Sequence, residues 1–122
     1  MKKTTPRRCP CQGGTLVRFV QPIILSVLQD GPCHGYAILQ KISRTRLWSA
    51  EAPDPAGVYR ALKDMEERGL VIAFEDPAMS DRRLYALTEE GRECRRRWLK
   101  TLRQYRLGIS EVISMLSREE GE

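Results

Sequence analysis

The 122-residue sequence has a single histidine, two phenylalanines and two tryptophans, and its longest apolar run is only Leu70-Val71-Ile72-Ala73-Phe74. A bilayer-spanning helix needs about 20 apolar residues in succession, so no membrane segment is expected. The lysines and arginines near the start have no apolar stretch behind them, which speaks against a secretory signal and for a cytoplasmic protein. No nucleophile stands beside a base, no carboxylates pair at catalytic spacing, and Gly13-Gly14 alone is not a phosphate loop, so an enzyme is not expected. Paired CxxC repeats are missing too, and the four cysteines, Cys9, Cys11, Cys33 and Cys94, read as reduced thiols or metal ligands in a reducing compartment.

The sequence does have an excess of 21 basic over 16 acidic side chains, a formal charge of +5. A positive surface of that kind suits a polyanionic partner, because cations laid along phosphates release condensed counterions. Charge alone does not decide the matter, since many basic proteins bind nothing acidic. The length allows one compact core and one extended element.

Residues 1–15 carry four basic side chains, Cys9-Pro10-Cys11 and Gly13-Gly14 without helical or strand periodicity, and read as a flexible basic arm. From Leu16 onward Phe19, Val20, Ile23, Ile24, Val27 and Leu28 fall on one helical face. Pro22 is tolerated there only in the first turn, which starts the regular helix at Val20 or Gln21, and Gly31-Pro32 ends it. A second helix is expected from Gly35 to about Arg46, with Ala37, Ile38, Leu39 and Ile42 inward and Gln40, Lys41 and Arg44 outward. Asp54-Pro55 pairs an N-cap acceptor with proline at the first helical position, and so starts a third helix, with Val58, Ala61, Leu62 and Met65 as its buried stripe and Gly69 as its stop. Val71 to Glu75, a turn over residues 76–81, and Arg82 to Leu87 make a hairpin. Three short helices followed by a hairpin predict a winged helix-turn-helix over residues 16–87, within a chain that is mainly α with a small β-hairpin.

Beyond Thr88, an N-cap residue, residues 88–117 are strongly helical, and Trp98, Leu102, Tyr105, Ile109, Val112 and Leu116 step by four and three. Such a helix is roughly 40 Å long at 1.5 Å per residue, more than a small domain can cover, so a second copy of the chain is the expected partner of this stripe. The alternative is an amphipathic helix packed back on its own domain.

For DNA, the third helix offers small residues at its start, Ala56 and Gly57 after Pro55, which permit close approach, and Tyr59, Arg60 and Lys63 as donors away from the buried stripe. Asp64, Glu66 and Glu67 lie nearby, so a solvated face with no partner is the bland alternative. Arg82 and Arg83 sit at the root of the return strand, where they would meet phosphate or the minor groove, or else pair with Asp76 or Asp81.

Several of these segments together are similar to one known family. Gly31-Pro32-Cys33-His34-Gly35-Tyr36, Trp48, residues 55–62, Glu66-Glu67-Arg68-Gly69-Leu70 and residues 83–91 resemble the PadR family of transcriptional regulators. The resemblance implies a C-terminal dimerisation helix, repression of a target operon and release by a small effector. It also places Tyr36, Gly57, Tyr59 and Lys63 on DNA-facing positions, and gives His34 a capping or phosphate-contacting role at the turn into the second helix. Double-stranded DNA, a second copy of the chain and a small-molecule effector are thus the expected partners, with the effector in the groove between the first and last helices near Trp48 and Trp98.

No cofactor is required by this reading. Cys9-Pro10-Cys11, however, resembles a CxC element of part of the same family, and two thiolates at that spacing reach one soft metal or an iron-sulfur cluster, with Cys33 or His34 completing the set if the arm folds back. A metal- or redox-responsive regulator is therefore the alternative function. Cys94 reads by default as a small buried hydrophobe.

Overall fold

The computed structural model describes residues 19–45, 55–79 and 81–118. The elements run α1 (Val20–Leu28), β1 (Cys33–His34), α2 (Gly35–Ser43), α3 (Pro55–Glu67), β2 (Val71–Glu75), β3 (Arg83–Leu87) and α4 (Glu89–Ser117). Pro22 occupies the first turn of α1 and is buried, and Gly31 follows the helix with a φ of 140°, a conformation that disfavours any side chain. α2 ends at Ser43, short of the expected Arg46, with Ser43 Oγ and Thr45 Oγ1 donating back to the Gln40 and Ile42 carbonyls. Side chains that bond the last carbonyls compete with continuation of the helix.

α3 starts at Pro55 as the sequence predicts, while its expected cap, Asp54, lies outside the described residues. It closes in a Schellman motif: Gly69 at φ 78° donates to the Glu66 carbonyl and Leu70 to that of Met65. Leu70 is thereby turned into the core.

The expected hairpin is present, with Val71 opposite Leu87 and Glu75 opposite Arg83, but it belongs to a three-stranded antiparallel sheet in the order β1-β3-β2. The return strand begins at Arg83, not Arg82, because the Arg82 carbonyl and N–H close the turn onto Asp76 and Met79. β1 is only two residues long and pairs Cys33 with Tyr85 and His34 with Leu84.

Ile24, Leu25, Leu28, Ile38, Ile42, Val58, Leu62 and Met65 pack with Val71, Tyr85 and Leu87 into one core, and no side-chain polar atom buried among the described residues lacks a partner. The start of α4 is fixed to that core. Thr88 Oγ1 accepts the Gly91 N–H at 3.0 Å and donates to the Gly69 carbonyl, and its own N–H meets the Leu70 carbonyl at 3.1 Å. Glu89 and Glu90 add the negative charge that a helix N-terminus favours. At Gly91 a Cβ would overlap the Leu70 carbonyl oxygen, so only glycine lets the two backbones approach this closely.

Candidate nucleic-acid interface

Burial of Val58, Leu62 and Met65 turns Ala56, Tyr59, Arg60 and Lys63 of α3 outward, with Gly57 half-buried between them. Tyr36, one residue into α2, is 61% exposed, and its phenol oxygen accepts from Gln40 at 3.2 Å. These two helices meet through a glycine: a Cβ on Gly35 would come within 2.6 Å of the Tyr59 ring. The absent side chain at Gly35 therefore sets where Tyr59 stands. Tyr36, Tyr59, Arg82, Arg83 and Tyr85 line an open cleft of about 310 Å³ between the start of α2, the exposed face of α3 and the root of the wing. Burial lifts the Tyr85 phenol above its usual range, which keeps it a neutral donor.

Of the residues expected from sequence, Tyr36, Tyr59, Arg82 and Arg83 thus converge. Ala56 and Gly57 mark the entry of α3, and Lys41 and Lys63 stand on exposed faces without lining the cleft. Lys41 Nζ lies 3.7 Å from Cys33 Sγ. Arg83 pairs with Glu66 of α3 at 3.6 Å rather than with Asp76 or Asp81, and both groups are well exposed, so the pair is weak and readily exchanged.

Asp76 is instead claimed by His34. Its Oδ2 lies 2.6 Å from His34 Nε2, and its Oδ1 accepts the Ala78 N–H at 2.9 Å. The Ala78 N–H first, and His34 second, hold this carboxyl below its ordinary value of 3.8. The capping role expected of His34 is corrected accordingly: its backbone is extended at the N-cap of α2, its side chain makes no cap bond, and it ties the root of the wing to the helix-turn-helix. Sequence reasoning missed this tie, and Tyr85 with it, because both depend on β1, which is too short to leave a periodic signal.

The stripe on α4 divides into two parts. Trp98 Nε1 donates to Gln21 Oε1 at 2.7 Å, Cys94 Sγ lies 3.7 Å from the same oxygen, and the Phe19 ring sits edge-on to both Trp98 and Tyr105 with 6.5 Å between centroids. Trp98 and Leu102 are half-buried. Farther along, Tyr105, Ile109 and Val112 are at least half exposed and Leu116 is 73% exposed, joined by Ile113 and Met115. Cys9, Cys11 and Trp48 lie outside the described residues, and among those described no group of three His, Cys, Asp or Glu side chains is arranged to hold a metal. No described helix is long and apolar enough to cross a membrane.

Residues 24–97 match the Transcriptional regulator PadR-like family, more than half of the chain. The chain belongs to this family. It is a transcriptional regulator, as its resemblance implied, and not an enzyme. Among its relatives, an uncharacterised 37.1 kDa protein in transposon TN4556 of Streptomyces fradiae is 37% identical over 76 residues, 60% of this chain, and this chain spans only 20% of that protein's length. A PadR-family transcription regulator from Clostridium difficile R20291 superposes with a TM-score of 0.66 at 26% identity, over 78% of this chain and 98% of the other. PadR of Bacillus subtilis, solved in complex with operator DNA, shares the fold at a TM-score of 0.55 and 22% identity, over 68% of this chain and 48% of the other. The same protein has been solved with p-coumaric acid, at the same TM-score and identity.

Proposed function

We propose that this PadR-like regulator binds duplex DNA as a homodimer and represses its target until a small effector binds. Residues 16–87 serve as the reading domain, and 88–117 as the dimerisation helix. The observation that carries the proposal is the convergence of Tyr36, Tyr59, Arg82 and Arg83 on one exposed cleft beside the open face of α3. Helix 3 enters the major groove through Ala56 and Gly57, with Tyr59, Arg60 and Lys63 reaching bases or phosphates, while Lys41 and the wing arginines hold the backbone to either side. Tyr105, Ile109, Val112 and Leu116 meet the same residues of a second copy, and Trp98 and Leu102 lie at the near end of that seam, where a change in α1 would alter the spacing of two recognition helices. Operator DNA and p-coumaric acid as ligands of the Bacillus subtilis protein support both halves of this reading.

Selection of bound duplexes from fragmented genomic DNA tests it. A recurring two-fold symmetric site is expected, with half-sites about one helical turn apart, and Lys63→Ala or Arg83→Ala should weaken binding to it while the variant still dimerises. Recovery of no common sequence, or undiminished binding by both variants, would contradict the assignment.

A further inference from the structure

The winged domain that reads DNA carries no net positive charge. Residues 16–87 hold nine basic and nine acidic side chains, whereas residues 92–106 hold seven basic side chains against Glu93 alone. With a chain total of +5, everything outside that short segment sums to −1. We infer that the first half of α4 is a second phosphate-binding surface, which grips a second DNA duplex while the winged face holds the first; this rests on the DNA-binding reading above.

Arg92, Arg96, Lys100 and Arg103 follow one another at steps of four, four and three, which sets them on one face, opposite Cys94, Trp98 and Leu102. All four are exposed. Among the described residues only Arg96 of this set has an ion-pair partner, Glu93 at 3.2 Å and open to solvent. Like charges at this spacing oppose helix formation, so the band weakens the element that carries it unless an anion lies alongside. Its composition, six arginines to one lysine over residues 92–106, favours a partner with planar or forked acceptors such as phosphate.

The occupant is a polyanion rather than a single anion because the band extends about 16 Å along the helix, while a duplex presents a charge every 1.7 Å or so of its axis. A second duplex follows from the position of α4. The helix begins on the Gly69 and Leu70 carbonyls, at the end of α3 remote from Pro55, and α3 is itself about 20 Å long. The band also points away from the α1 seam, so it is not part of the cleft lined by Tyr36 and Tyr59.

A bridging assay tests this. A short random-sequence duplex fixed to beads is loaded with the full chain and offered a second, fluorescent duplex of unrelated sequence. The wild type is expected to capture the second duplex, and to lose capture roughly a hundredfold between about 50 and 200 mM salt if four phosphates are engaged. The variant R92A/R96A/K100A/R103A, which removes only exposed like charges, should still coat the beads yet capture about tenfold less or lower. A Tyr59→Ala/Lys63→Ala variant keeps the band and should also fail to bridge, now for want of the winged face. Normal bridging by that variant would overturn the winged-face reading and leave the band standing. Normal bridging by the fourfold variant overturns the band, since two winged faces of a dimer would then account for capture. So does wild type that captures no second duplex, or that captures phosphatidylserine vesicles in its place.

Discussion

The winged domain and the far half of α4 stand in contrast within one chain. In the domain the apolar residues of three helices and a small sheet find each other: Ile24, Leu25, Ile38, Ile42, Leu62 and Met65 are fully buried, and Arg83 and Asp76 have partners on other elements. Along α4 beyond Tyr105 the same kind of residue recurs at the same helical spacing but stays more than half exposed among the described residues, as Ile109, Val112, Ile113 and Leu116 do. Helical periodicity therefore reports an apolar face, and only the amount of chain within reach decides whether that face is core or interface. The dividing point is visible in single residues, since Trp98 is bonded to Gln21 and Leu116, on the same stripe, is exposed.

The contrast is sharpest in the response to truncation. Leu62→Ala should cost about 2–5 kcal/mol, read from urea unfolding, because it leaves a cavity inside a packed core. Leu116→Ala should leave unfolding of the domain itself within about 0.5 kcal/mol, and act only where association contributes. Equal losses at the two positions would mean that the far half of α4 packs on its own domain after all.

At the junction between the regions, Gly91→Ala forces a Cβ into the Leu70 carbonyl and should destabilise by about 1–3 kcal/mol, as overpacking does. Thr88→Ala removes the cap of α4 and its bond to Gly69, for about 1 kcal/mol, with the loss concentrated in thermal unfolding of α4.

Gly35→Ala separates position from stability within the reading face. Its Cβ displaces the Tyr59 ring, so DNA affinity should fall by about tenfold, roughly 1.4 kcal/mol, with a smaller change in the unfolding midpoint. A fall in stability with affinity intact would show that Tyr59 does not touch DNA.

The smallest effect concerns pH. Because the Asp76 carboxyl is held below 3.8 in the fold, its stabilisation is complete above that ordinary value and is lost as pH falls through the lowered one. Asp76→Asn should therefore be less stable than wild type near neutrality, with the gap closing as the solution is acidified below about pH 4, followed by circular dichroism.

Much of the architecture could be read before any coordinates, for local reasons. Pro22, Gly31, Pro55 and Gly69 act within one or two turns of themselves, and the structure places helix boundaries beside each of them. The heptad after Thr88 was equally plain. What escaped depends on residues distant in sequence. β1 exists only because Cys33 and His34 lie beside Tyr85 and Leu84, and the partners of His34 and Arg83 were hidden for the same reason. From sequence the long helix packs either on its own domain or on a second copy; in the structure its near half does the first and its far half is open for the second. The charge excess suits a polyanionic partner, yet the winged domain is neutral, and the cations without nearby acidic counterparts lie in residues 1–15 and on the first half of α4.

The central claim, that the far half of α4 is completed by a second copy of the chain, is tested most directly by sedimentation equilibrium of wild type beside Ile109→Glu/Val112→Glu. The wild type should sediment as a dimer and the double variant as a monomer with its winged domain still folded by circular dichroism. A monomeric wild type, or a variant that remains dimeric, would contradict it.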